Sequence, residues 1–326
     1  MKLVFNIRAT AILYAFLKKN FSSTKIWMLP VNTCHLIPAC FIKANVSYEF
    51  IDVDPISLSI DESKVLNRLK ENSNRYAGVL CVRNFGDLKV SFDFFKRLKN
   101  IQPSLLIIDD ACLSFPDLDT LISPYVDLEL YSTGYSKPID IGYGGFGKLS
   151  QDYNLELVEL SYKKEALDLM NSKYIQSLKS SRIIETNDLK SNWLASAKIN
   201  QKEYVNQVID KYPQIIKHKK NLNSIYRQNI NPIFHEKRLS NNWRFNLNVG
   251  NASILIRKIF ENGLFASQHY FPLNKIFDSG NCPIWEKQYE NIINLFNDHR
   301  FSIKQANKIC KIINEFGIEA SNENIF

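Results

Sequence analysis

The run Tyr76–Phe85 is almost continuously apolar and lacks the alternation of a strand with one face in water. A strand of this kind is buried on both faces, so helices must cover the sheet above and below. Leu105–Asp109 reads the same way, and Lys25–Val31 and Val46–Asp54 are further strands. Between them fall helical patterns at Ala9–Asn20, from Asn32-Thr33-Cys34-His35 to about Lys43, at Asp61–Glu71 and at Phe92–Lys99. Strands alternating with helices over Lys25–Ser150 predict an α/β fold with a mostly parallel sheet. In such sheets a ligand lies beyond the carboxyl ends of the strands.

Two strand ends carry chemistry. The buried run up to Ile108 ends in Asp109-Asp110, and the β-rich run Leu128–Ser132 leads into a turn holding Lys137 ahead of Gly142, Gly144, Gly145 and Gly147. An amine in that setting can act as a nucleophile toward a carbonyl once burial or neighbouring charge frees its lone pair. Ser132 and Ser136 offer hydroxyls suited to a phosphate. Asp110 can pair with a protonated ring nitrogen, as a pyridoxal phosphate (PLP) site requires. Taken by itself, Lys137 could equally be one solvated lysine among many.

The order of these residues resembles the PLP-dependent sugar aminotransferases, the DegT/StrS group of the aspartate aminotransferase-like fold type I. That group reads strand, Glu-Asp-Ala-Ala-Gln, second strand, Ser-Phe-x-x-x-Lys and Gly-x-Gly-Gly. Here the same order is Ile107-Ile108-Asp109-Asp110-Ala111-Cys112-Leu113, then Ser132-Thr133-Gly134-Tyr135-Ser136-Lys137, then Gly142-Tyr143-Gly144-Gly145. The resemblance implies that Lys137 bonds the cofactor and that Asp110 partners its pyridinium. It makes Ser132 a phosphate ligand and gives Ala9 and Thr10 the start of the phosphate-binding helix. An N-cap role accounts for Thr10 equally well. His35 is a candidate for stacking on the pyridine, displaced by one from the expected aromatic at Cys34; packing at a helix start is its plain alternative.

Further along, Asn187-Asp188-Leu189-Lys190-Ser191 stands where the family has Asn-Tyr-Arg-Met-Ser, so the resemblance implies that Asn187 reaches the cofactor phosphate of a neighbouring subunit. Gln268-His269-Tyr270-Phe271-Pro272-Leu273 is close to the family's His-Tyr-Pro-Pro-Leu. Ala9 for glycine, Leu113 for Gln or His, Leu189 for arginine and a short N-terminal arm depart from the pattern. The implied activity is transfer of an amino group from an amino acid, by family habit glutamate, to a keto sugar linked to a nucleotide, by a homodimer with its site between protomers. The alternative is a degenerate PLP-fold protein serving as a partner or regulatory subunit.

Composition is compatible with this. The 326 residues are 45% hydrophobic and 23% charged, an ordinary globular balance, and the net charge of +8 favours anionic partners. No nucleic-acid-binding motif surrounds the densest basic run, Lys217-His218-Lys219-Lys220. Six cysteines sit mostly inside apolar runs with neither CxxC nor zinc spacing, so no metal site is expected. Lys18-Lys19-Asn20-Phe21 follows Ala9–Leu17 where a signal peptide needs small residues, and polar and proline residues break Ile26–Ile42. A cytoplasmic protein without a membrane span is the expectation.

Helices are expected at Leu155–Leu169, Leu194–Lys211, Ala252–Asn262 and Ile303–Phe316, the last two closed by Gly263 and Gly317, with a strand at Trp243–Val249. The expected division is a large PLP-binding domain over residues 1–220 and a smaller α/β domain over 221–326.

Overall fold

A computed structural model describes residues 1–87, 91–277 and 279–322. In chain order its elements are β1 (Lys2–Asn6), α1 (Ala9–Lys19), β2 (Ile26–Pro30), α2 (Leu36–Ala44), β3 (Tyr48–Ile51), α3 (Glu62–Asn72) and β4 (Tyr76–Val82). There follow α4 (Phe92–Ile101), β5 (Leu106–Asp110), β6 (Leu128–Ser132), β7 (Gly145–Leu149), α5 (Lys164–Ser180), α6 (Thr186–Leu189) and α7 (Gln201–Asn229). The C-terminal part holds β8 (Phe245–Asn248), α8 (Ala252–Glu261), α9 (Asn274–Phe277), α10 (Pro283–Tyr289), β9 (Ile292–Leu295) and α11 (Ile303–Asn322).

Seven strands form one sheet in the order β1-β7-β6-β5-β4-β2-β3. Strands β2 to β6 run parallel, and β7 is antiparallel to both of its neighbours. Helices cover both faces. The stripe Ala9, Ile12, Leu13, Phe16 and Leu17 of α1 packs in one core with Ile108, Leu128 and Leu130. Phe94, Phe95 and Leu98 of α4 pack in another with Leu105, Ile107 and Val79. The sheet therefore sorts β5 by parity: Ile108 and Asp110 face the α1 side, Ile107 and Asp109 the α4 side.

The second sheet pairs β8 and β9 antiparallel, over a core shared with α8 and α11. Helix α7 joins the two units: Tyr204 and Val208 pack with Tyr131 and Phe146, while Leu222 and Tyr226 belong to the C-terminal core. The boundary expected after residue 220 thus falls within one continuous helix. The last four residues of the expected 221–326 unit lie outside the described residues.

Four local expectations differ. Leu155–Leu169 is not one helix: Leu155, Leu157 and Leu160 pack onto the main core from an extended segment, and the helix starts only at Lys164. Leu194–Lys211 likewise begins extended. Helix α7 opens behind Asn200, whose side chain accepts from the Glu203 amide at 3.2 Å. Helix α11 runs through Gly317 instead of ending there; a Cβ at that glycine would stand 2.7 Å from the Phe234 ring. Arg8, and not Thr10, is the N-cap of α1.

Strand β1 lies ahead of the first strand the sequence predicts, and β7 falls on the glycine cluster, although glycine is depleted in strands. The reason for Gly145 is packing: a Cβ there would lie 2.7 Å from that of Ala9, so its absence lets α1 start directly against the sheet. No helix among the described residues is long and apolar enough to cross a membrane.

Candidate active site

Asp110 and Ser132 are the last residues of the adjacent parallel strands β5 and β6, and both face the α1 side. After Ser132 the chain makes a loop and returns as β7. The neck of the loop is closed by Thr133, whose amide donates to the Gly144 carbonyl at 3.0 Å and whose carbonyl accepts from Ile141 at 3.0 Å. Gly144, at φ +87°, turns the chain back where the Tyr204 ring leaves no room for a side chain. Lys137 sits in the loop, with its amide donating to the Gly134 carbonyl at 3.3 Å.

Residues from four places close a cavity of about 370 Å³ around this lysine, within the roughly 300–1,000 Å³ of small-molecule sites. The start of α1 contributes Arg8, Ala9 and Thr10. Cys34 and His35 come from the turn before α2, Asp110 and Ser132 from the sheet, and Lys137 from the loop. Tyr162, Asn171 and the run Trp193–Ala195 complete the far wall.

Two neighbouring aspartates are treated in opposite ways. Asp109 pairs in register with Glu129 on the α4 side, and Arg83 stands between them: its guanidinium contacts Asp109 at 2.7 Å and Glu129. Lys148, fully buried, lies 3.4 Å from Glu129, and the Tyr131 hydroxyl donates to Glu129 at 2.8 Å. Asp110 is 5% exposed and accepts the Cys112 amide at 2.9 Å. No cation pairs with it among the described residues. A carboxylate buried at a cavity without a counter-charge is poised for a cationic group of a ligand.

The thiols of Cys34 and Cys112 lie within electrostatic reach of both Asp110 and Lys137, and burial raises the pKa of each. The His35 ring lines the cavity but stacks on Tyr174 of α5, with centroids 3.8 Å apart and planes 12° from parallel, so one of its faces is occupied. Cys34 stands at the cavity wall at the position where an aromatic was expected. Thr10 lines the cavity as well.

Asn187 does not line it: the residue is exposed on α6, and Leu189 is in the core. The Asn-x-x-x-Ser order recurs at Asn192–Ser196, and this second run, continuing into Trp193, Leu194 and Ala195, is the one along the cavity wall. Placing the helix start at Leu194 hid it; the Asn200 cap of α7 was the signal. Leu113 is also a core residue and does not line the cavity.

The C-terminal unit reaches the same place. Ser136, at φ +65°, is held by Trp243, whose Nε1 donates to its carbonyl at 2.7 Å, and by Arg244, whose Nη2 donates to its hydroxyl at 2.9 Å. Its amide donates to Asp140 at 2.8 Å, and Asp140 in turn pairs with Arg300 at 2.6 Å. Burial, with the cations Arg244 and Lys137 nearby, lowers His269 to about 3. The expected match at Gln268–Leu273 therefore adjoins the lysine loop.

No family model and no curated protein sequence matches this chain. Solved structures do. DesI in the presence of its TDP-sugar product superposes with a TM-score of 0.73 at 15% identity, over 99% of this chain and 82% of that one. A DegT/DnrJ/EryC1/StrS aminotransferase from Brucella abortus gives 0.70 at 16% identity, over 97% and 86%. The chain has the sugar-aminotransferase fold. A third structure with this fold, the sugar aminotransferase CalS13 from Micromonospora echinospora, gives 0.69 at 12% identity, over 96% and 87%. Within the sugar-aminotransferase fold, the donor set fits PLP: an unpaired buried carboxylate, a lysine, and hydroxyls beside an arginine at a helix start.

Proposed function

We propose that this protein is a PLP-dependent aminotransferase that moves an amino group from an amino acid, glutamate by preference, to a keto sugar carried on a nucleotide. The observation that carries the reading is Asp110, buried and without a cationic partner among the described residues, at one cavity with Lys137 in a fold shared with sugar aminotransferases. Lys137 would hold PLP covalently, Asp110 its ring nitrogen, and Ser132 with Thr10 its phosphate. Bound PLP supplies an electron sink for carbanion chemistry at the amino-bearing carbon.

The chain's own groups then have defined tasks. The Asp110 carboxylate would favour the protonated form of the ring nitrogen, and its burial in a low dielectric would strengthen that preference. Lys137 Nζ would take the proton from the donor's Cα as a general base and hold it for delivery to a different carbon as a general acid. A homodimer is part of this proposal, with exposed Asn187 and Asn192 available to a second protomer, and residues 1–220 and 221–326 as the large and small domains.

The test is the absorbance spectrum of the full chain with PLP, followed by borohydride reduction and peptide mass mapping. A visible band and a reduced adduct on Lys137, lost in Lys137→Ala, are expected. Glutamate should then convert the cofactor to its pyridoxamine form, with ping-pong kinetics toward a nucleotide-linked keto sugar. Absence of both band and adduct would overturn the enzyme reading in favour of a non-catalytic partner subunit.

A further inference from the structure

Arg8 lines the cavity and pairs with no carboxylate among the described residues. Its backbone is fixed. As the N-cap of α1 it has extended angles of φ −142° and ψ 133°; its carbonyl accepts from Ala11 at 3.1 Å, and a β-bridge ties it to Gly144. The side chain is exposed, but it is not aimed at random. Arg8 Nη1 lies 3.8 Å, and Ser132 Oγ 3.7 Å, from the point a Cβ would occupy on Gly134. The guanidinium and the hydroxyl thus face one space above the Gly134 backbone. The absence of a side chain there leaves that space open.

We propose that Arg8 is an anion ligand of this cavity and, given the reading above on which this rests, holds the cofactor phosphate from within the same chain. With Lys137 bonded to the cofactor and Asp110 turned to its ring, Arg8 is the cation of the lining left for the phosphate. A planar guanidinium donates to two phosphate oxygens at once, and the Ser132 and Thr10 hydroxyls serve the others. The first turn of α1 adds its dipole to the same end of the cavity.

Removal of the phosphate separates this role from general support. PLP and pyridoxal, which lacks the phosphate, are titrated into the full chain and followed by absorbance, for wild type, Arg8→Gln and Arg8→Lys. Arg8→Gln is expected to weaken PLP roughly tenfold to hundredfold, the loss of charge-assisted hydrogen bonds, and to leave pyridoxal unchanged. Arg8→Lys should recover part of the loss. Because the side chain is exposed, the melting temperature without cofactor should not move. Equal PLP affinity in wild type and Arg8→Gln, or a parallel loss of pyridoxal, overturns the proposal. Inorganic phosphate, titrated calorimetrically, covers the remaining case. Should wild type take neither PLP nor pyridoxal but bind phosphate in an Arg8-dependent way, the aminotransferase reading falls and the anion site stands. Binding of neither PLP nor phosphate sinks both.

Discussion

Arg244 donates from Nη2 to the Ser136 hydroxyl across 2.9 Å, so the C-terminal unit holds the residue immediately before Lys137. The guanidinium is 3% exposed and also donates to Ser267 at 2.8 Å, while its Nε has no partner among the described residues. Aromatic faces surround it, with the Phe296 ring centre 3.5 Å away.

A buried cation held by two hydroxyls is sensitive to losing either one. Ser136→Ala is expected to cost about 1.5–3 kcal/mol, since a charged donor loses its acceptor. Urea unfolding of the two proteins measures it. Arg244→Lys should not rescue the arrangement, because one ammonium cannot reproduce the spread donors of a guanidinium. In both variants the yield of borohydride-trapped PLP on Lys137 should fall as the loop loosens.

Asp110→Asn should separate cofactor attachment from chemistry. The amide cannot hold a proton on a ring nitrogen as a carboxylate does, so glutamate-driven formation of the pyridoxamine form should slow by roughly 10²–10³-fold. The adduct on Lys137 should still form. Stopped-flow absorbance measures the first, mass mapping the second.

Across the sheet, Arg83→Met leaves Asp109 and Glu129 side by side with only Lys148 near Glu129. Removing one member of a buried ionic group leaves charge uncompensated, and a loss of about 3–5 kcal/mol is expected in urea unfolding. Pyridoxal binding to the folded fraction should change little, because this network faces away from the cavity.

Acid should destabilise the protein through its enclosed histidines. Burial lowers His35 to about 4, outweighing a hydrogen bond with Asn171 that favours the protonated ring, and lowers His269 to about 3. Both are neutral in the native state and take up a proton in the unfolded chain below about pH 6.5. The unfolded state therefore binds more protons as pH falls from 6.5 toward 4, and stability drops in that window by up to about 1.4 kcal/mol per pH unit for each histidine. Above pH 7 neither contributes a slope. Urea midpoints at pH 7, 6 and 5 should fall in wild type, and His35→Phe should fall less steeply.

Much of this was legible because it depends on neighbours in the chain. The doubly buried strands announced the parallel sheet, and Asp110 and Lys137 were found from their order after two strand ends. What failed depends on distant partners. Leu155, Leu157 and Leu160 all turn to the core because it lies beneath their segment, and their spacing also fits a helical count. The run Trp193–Ala195 joins the cavity wall only because α7 starts at Gln201, behind the Asn200 cap, and not at Leu194. Arg8 carried no local signal: its significance comes from Ser132 and Gly134, brought to it by the β1–β7 pairing.

The contrast between Asp109 and Asp110 also bears on how such a chain would age. Exchange of Asp109 is punished at once, because the fold depends on the charges around Arg83. Exchange of Asp110 breaks no ion pair among the described residues and costs the fold one acceptor, that of the Cys112 amide. A lineage that had abandoned its chemistry would be free to drop the second aspartate while keeping the first. Here both stand together, the first tied into the charges around Arg83 and the second open to the cavity.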